Sequence, residues 1–259
     1  MFKRQIAEAE EKWKSPVLAD LENLFAGHWL PSHDISHHQR VWKNACQLLP
    51  AFVGELENQP DYFFEELLLA CFYHDTGLLV NPGFTHGHES AAWCKKFLSD
   101  YRAEIKFNTN ELLSAIEHHD DKSYQESSES SLLLKLLSLA DDMDAFGAVG
   151  AYRYAEIYLL RRMRISEIPD QVLSNAASRF QHLERQLSAS VELFYEVLGQ
   201  YKILQKIYRP DTFPEPVSEM LQMIRDEIID KRIEPAEYFA GKKSLSQRMI
   251  YLIDEYNRL

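Results

Sequence analysis

The stretch Asp61-Tyr62-Phe63-Phe64-Glu65-Glu66-Leu67-Leu68-Leu69-Ala70-Cys71-Phe72-Tyr73-His74-Asp75-Thr76-Gly77 decides the fold class. Counting back from His74 by three, four and seven positions gives Cys71, Ala70 and Leu67; the same count from Asp75 gives Phe72, Cys71 and Leu68. Residues at those spacings share one face of an α-helix. Two adjacent apolar stripes therefore run into an ionisable pair. Pro60-Asp61 suits a helix start, and Gly77 stands where a left-handed cap would close the helix. A carboxylate at the end of a buried stripe is costly unless it is paired or bound to a metal. Taken alone, a His-Asp dipeptide has a plainer reading as a cap or ion pair, and His33-Asp34 and His119-Asp120 are two more.

The same count applied elsewhere brings further polar groups inward. His37 shares a face with Val41, Ala45 and Leu48. His119 follows Leu112, Ala115 and Ile116, while His118 falls off that stripe beside Ser114 and Ala115. Asp141 stacks on Leu137 and Leu134, whereas Asp142 stacks on Ser138 and Lys135, so Asp141 is the expected buried neighbour. Seven of the ten histidines lie between His28 and His88. Several inward imidazoles and two inward carboxylates from separate helices call for a shared partner, and a cation is the simplest one. Ligation by imidazole and carboxylate without thiolate suits Mn, Fe, Zn, Co or Mg better than structural zinc. Helical bundles build metal centres in this way, one or two ligands from each helix.

Composition bounds the rest. The 259 residues are 46% hydrophobic, which is ample for a core. Lys plus Arg number 28 against 40 Asp plus Glu, a net charge of −12 that argues against a sequence-independent nucleic-acid binder. No sequence-specific nucleic acid and no membrane is expected as a partner. Cys46, Cys71 and Cys94 form no Cys-x-x-Cys pair and point to a reducing compartment. The N-terminus lacks a signal-type apolar run, and Leu67 to Tyr73 is far short of the ~20 residues a spanning helix needs. A cytoplasmic protein is expected.

Periodicity predicts an all-α chain, with helices at about 2–14, 16–27, 35–50, 61–76, 88–101, 109–119, 130–145, 148–165, 170–207, 216–231 and 244–258. The organisation expected is N-terminal helices over 1–29, a metal-binding core over 30–165 and a packed helical extension over 166–259. Gln125 to Ser131 reads as a Ser/Glu-rich loop, and the three prolines from Pro210 to Pro216 must interrupt helix.

The ordered set His37, His74-Asp75-Thr76-Gly77, His88-Glu89-Ser90-Ala91, His118-His119 and Asp141 resembles the HD-domain metal-dependent phosphohydrolase superfamily over about residues 30–146. Its neighbours agree, with His37-His38-Gln39-Arg40-Val41 similar to that superfamily's first-ligand helix. The resemblance implies an HD-domain helical fold and one or two divalent ions. His37, His74, Asp75 and Asp141 would hold one ion; His88 and His119 would complete a second site, with His86 as the competing assignment. His88 has an alternative role as an acid toward substrate. The resemblance further implies hydrolysis of a phosphoester in a nucleotide or other small phosphorylated metabolite by metal-activated water. Asp75 would hold or bridge the ions and His118 would assist the leaving group. Leu78 in place of a lysine, and no Gly-Tyr-Pro after His119, depart from the cyclic-di-GMP phosphodiesterases. Thr76-Gly77 departs from the Glu-Asp of alarmone hydrolases.

Arg40, Lys122 and Arg153 are the candidates for holding a substrate phosphate. His28, His33, His38 and His182 read as supporting or surface groups. Two other readings use the same residues: a di-iron oxygenase related to myo-inositol oxygenase, and a non-catalytic, metal-stabilised interaction protein. A homodimer is compatible with the helical extension.

Overall fold

A computed structural model describes residues 2–80, 86–121, 131–187, 190–241 and 245–258. All of the regular structure in the described residues is helical. The chain divides into two compact units, Met1–Met143 and Asp144–Leu259. No helix among the described residues is long and apolar enough to cross a membrane.

The first unit opens with α1 (Lys3–Phe25), a single helix where the sequence predicts two, 2–14 and 16–27. Pro16 lies inside it. The ring removes one backbone hydrogen bond. Against that loss stands an unbroken stripe of Ala9, Trp13, Val17 and Leu21, each at most 1% exposed, which continues through the proline. Indole N–H groups tie this region to its neighbours: Trp13 donates to Glu65 at 2.7 Å and Trp42 donates to Glu10 at 2.8 Å.

Then follow α2 (Ile35–Leu48), the short α3 (Val53–Leu56), α4 (Phe63–Tyr73), α5 (His86–Asp100), α6 (Thr109–His118) and α7 (Leu132–Asp144). α4 is buried all round, its stripes Leu67, Leu68, Ala70, Cys71 and Phe72 completely so. It packs against α1, α2 and α6, while α5 packs against α6 and a 3-10 turn, Thr76–Leu79. Asn44 of α2 donates to the Ala140 carbonyl of α7 at 3.1 Å.

Gly77 is not the left-handed cap that the sequence predicts. It lies in the 3-10 turn, outside the positive-φ region. The reason for glycine is proximity, since a Cβ there would stand 2.0 Å from the His86 carbonyl oxygen.

In the second unit, α8 (Gly147–Leu160) is buried over nearly its whole length and is flanked by α9 (Ile168–Gln186), α10 (Val191–Tyr208) and α13 (Gln247–Tyr256). The helix predicted over 170–207 is two helices, because Leu187 and Ser190 leave helical geometry between α9 and α10. Neither Gly nor Pro marks that break. The prolines from Pro210 to Pro216 do separate α10 from α11 (Val217–Met223), as expected. α11 continues into a π-helical turn, Ile224–Ile229, and a short α12 (Pro235–Gly241) that the sequence did not announce follows. Arg248, fully buried, holds the proline segment by donating to the carbonyls of Ile207, Arg209 and Glu215.

Glu66, on α4, is buried at 4% exposure. Burial, with the charges of Glu111 and Glu65 adding to it, pushes its carboxyl up to about 8. The folded protein therefore keeps a proton that the unfolded chain releases above about pH 4.5. Stability from this group falls as pH rises from there to about 8 and is flat beyond. Glu66→Gln is expected to melt with wild type at pH 4 and several degrees above it at pH 9. Parallel melting curves at both pH values would contradict the assignment.

Candidate metal centre

His37 sits in the first turn of α2. The Asp34 side chain caps that helix, accepting from the backbone N–H of Ser36 at 2.9 Å and of His37 at 3.3 Å. His74 and His119 occupy the C-terminal caps of α4 and α6. Each uses the same device: the imidazole Nδ1 faces the carbonyl three residues earlier, Cys71 at 2.9 Å and Ile116 at 2.7 Å. Carbonyls in the last turn of a helix lack intrahelical partners, so they are available acceptors. This pairing places the proton on Nδ1 and turns the Nε2 lone pair inward. Both positions lie at the negative ends of helix dipoles, where a cation is favoured.

Asp75 follows His74 and directs its two oxygens to different partners. Oδ2 lies 3.2 Å from His37 Nε2 and 3.5 Å from His74 Nε2. Oδ1 lies 3.0 Å from both His86 Nε2 and His119 Nε2. Asp141, near the end of α7, brings Oδ1 to 3.9 Å from the Nε2 atoms of His37 and His74. Among the described residues two donor groups result, His37–His74–Asp75–Asp141 and Asp75–His86–His119. All of these residues are buried, and within each group the ligand atoms lie within 4.8 Å of one another.

Burial alone would raise the Asp75 carboxyl. The neighbouring imidazoles, His74 first and then His119, His37 and His86, outweigh it and hold the group well below the usual carboxylate range. For His74, burial dominates and pushes the imidazole down to about 3, with His119 and His37 adding to the effect and Asp75 opposing it. A neutral His74 with Nδ1 protonated faces His37 with an Nε2–Nε2 separation of 3.1 Å. The inward Nε2 of His74 therefore meets either a proton on His37 Nε2 or a cation between the two rings. A divalent cation fits these residues: the donors are imidazole and carboxylate, their ligand atoms converge within each group, and the outer nitrogens of His74 and His119 are held by backbone carbonyls.

The second group departs from the expected ligand set. His88 is 73% exposed at its side chain and faces Glu117 at 3.3 Å, whereas His86 is 3% exposed and faces Asp75. Positions two apart on a helix point about 200° apart, so only one of the pair can face inward. α5 begins at His86 rather than at 88, and its buried face continues through Ser90, Cys94 and Phe97. His118, expected to act on the leaving group, is exposed, its Nδ1 directed at the Ser114 carbonyl 2.9 Å away, and it belongs to neither donor group. Asp142 is as buried as its neighbour Asp141, contrary to the stripe count.

Of the phosphate candidates, Arg40 lies one turn beyond His37, half-buried, with Nη1 donating to Ser36 at 2.9 Å. Arg153 belongs to the second unit, where it is buried and ion-paired with Asp144 at 3.0 Å. Lys122 lies outside the described residues, as do positions 125–130 of the expected loop.

The residues behind the donor groups carry less signal in the sequence. His38 is completely buried against the rings of His37 and His74, at centroid distances of 5.3 and 5.2 Å. Its Nδ1 lies 3.4 Å from the same Cys71 carbonyl that His74 uses. His33 is also buried, with its ring 5.4 Å from that of His37. His28 is exposed and His182 half-buried.

No curated protein and no solved structure matches the chain. A family model does: the one described as HD-CE matches residues 16–196, more than two thirds of the sequence, and spans every residue of both donor groups. With that match joined to the buried His/Asp groups that the five helices assemble, this chain belongs to the HD-CE family.

Proposed function

We propose that this protein is a metal-dependent phosphohydrolase, cleaving a phosphoester bond of a nucleotide or another small phosphorylated metabolite. The observation that carries the reading is the division of Asp75, one oxygen toward His37 and His74 and the other toward His86 and His119. A carboxylate so placed is suited to bridge two cations. His37, His74 and Asp141 would complete one site; His86 and His119 would complete the other. Such a pair of cations lowers the pKa of water and stabilises both the attacking and the leaving oxygen of a phosphoryl group.

The chain's own residues hold and orient. The carbonyls of Cys71 and Ile116 fix two imidazoles in the tautomer that presents Nε2. Arg40, one turn from His37, is the described cation best placed along α2 to bind a substrate phosphate.

The test is elemental analysis of protein isolated without added metal, followed by a panel of phosphoesters in the metal found. One or two divalent ions per chain and hydrolysis of at least one phosphoester are expected, with turnover lost on chelation and restored by the same metal. The donor set serves two irons equally well. Iron with a mixed-valence signal and no hydrolysis across the panel would replace this reading with dioxygen chemistry. Retained metal with no turnover at all would leave a structural role.

A further inference from the structure

Ser90 is completely buried in the second turn of α5, and its Oγ accepts a hydrogen bond from the backbone N–H of Gly77 at 2.8 Å. Gly77 lies two residues after Asp75, and Ser90 one turn after His86. This bond therefore joins the turn carrying one ligand to the helix carrying another. Two glycines make the same junction tight. A Cβ on Gly77 would meet the His86 carbonyl oxygen at 2.0 Å, and one on Gly87 would meet the Glu117 carbonyl oxygen at 2.3 Å. The first turn of α5 is thus wedged between the turn after Asp75 and the end of α6, which leads into His119. His37, His74 and Asp141 are carried by other elements, α2, α4 and α7, of which α2 and α7 are joined by the Asn44 amide donating to the Ala140 carbonyl.

We infer that Ser90 is a positioning residue for the Asp75–His86–His119 site, its hydroxyl setting the distance between His86 and the shared carboxylate. The inference rests on the two-ion reading above. Ser90→Ala removes the acceptor and leaves the buried Gly77 N–H without its partner, so the turn and α5 drift apart. Ser90 holds the backbone beside Asp75 and not a ligand side chain, so the roughly 10–100-fold that an outer hydrogen-bond partner of a ligand typically contributes to metal affinity is a ceiling here.

Metal-free wild type, Ser90→Ala and the near-isosteric Ser90→Cys are titrated with Mn2+ and, in parallel, with Zn2+, the imidazole resonances of His37 and His119 reporting Zn2+ uptake at each group. The expected result for Ser90→Ala is weaker binding at the His119 group, by at least a few-fold and up to roughly 100-fold, and unchanged binding at the His37 group. Ser90→Cys, a weaker acceptor, falls between. Amide exchange at Gly77 in metal-free protein is expected to speed up in the order wild type, Cys, Ala. Equal weakening at both groups, no change at either, or failure of both variants to fold would overturn the inference. Wild type that takes up no ion would sink the metal reading separately, because Gly77 exchange without metal still decides whether the hydroxyl holds the turn.

Discussion

Asp75→Ala will lose metal at both donor groups and with it the proposed hydrolysis, by more than the roughly 100-fold that a single outer partner is worth. The reason is geometric. Asp75 is the one residue common to the two groups, and each of its oxygens already lies 3.0 to 3.5 Å from two imidazole nitrogens. Asp141 belongs to one group alone, so Asp141→Ala should weaken the His37–His74 site and spare the His86–His119 site. Asp75→Asn separates charge from shape. The amide keeps one neutral acceptor oxygen and presents on the other side an NH2 group, which cannot ligate a cation and donates to imidazole nitrogen instead. It should therefore retain at most one ion. Metal stoichiometry after dialysis, with turnover of whichever phosphoester the panel identifies, checks all three. An Asp75→Ala protein that hydrolyses at the wild-type rate would sink the proposed function.

Five of the six residues that make up the two donor groups are legible in the sequence because they lie on helices with clean apolar stripes. His37 heads Val41, Ala45 and Leu48, all completely buried, and His119 follows Leu112, Ala115 and Ile116, which are nearly so. For the sixth, the order of motifs points to His88, with His86 as the competing assignment, whereas helical geometry points to His86. The count used for the other helices would have found it. From His86, steps of four and eight reach Ser90 and Cys94; from His88, steps of seven and eight reach Lys95 and Lys96, which are exposed. The pattern emerges only when the helix begins at His86, as α5 does. The central claim of an all-α chain needed only periodicity. What periodicity does not carry is the location of breaks without Gly or Pro, as at Leu187–Ser190, or the persistence of a helix through Pro16. Both depend on packing partners far away in the sequence.

Gly77 gives the second large effect, and it discriminates between the two reasons a chain can have for glycine. If Gly77 were a left-handed cap, Gly77→Ala would cost about 1 kcal/mol through backbone strain alone and would leave the ligands where they are. The structure instead puts the His86 carbonyl oxygen 2.0 Å and the Ser90 nitrogen 2.8 Å from where the new methyl must go. Those atoms belong to a helix backbone and cannot rotate aside. Relief requires α5 to shift as a body, which costs about 3 kcal/mol, the upper end of the range for overpacked cores. The same shift carries His86 away from Asp75, whose Oδ1 is 3.0 Å from the imidazole at present. Gly77→Ala is accordingly expected to melt well below wild type and to lose the ion of the Asp75–His86–His119 group, while the His37 group keeps its own. Thermal melts of the metal-free protein and ion stoichiometry measured together separate the cases: a loss of about 1 kcal/mol with both ions retained would restore the cap, and a larger loss confined to one ion would establish close approach.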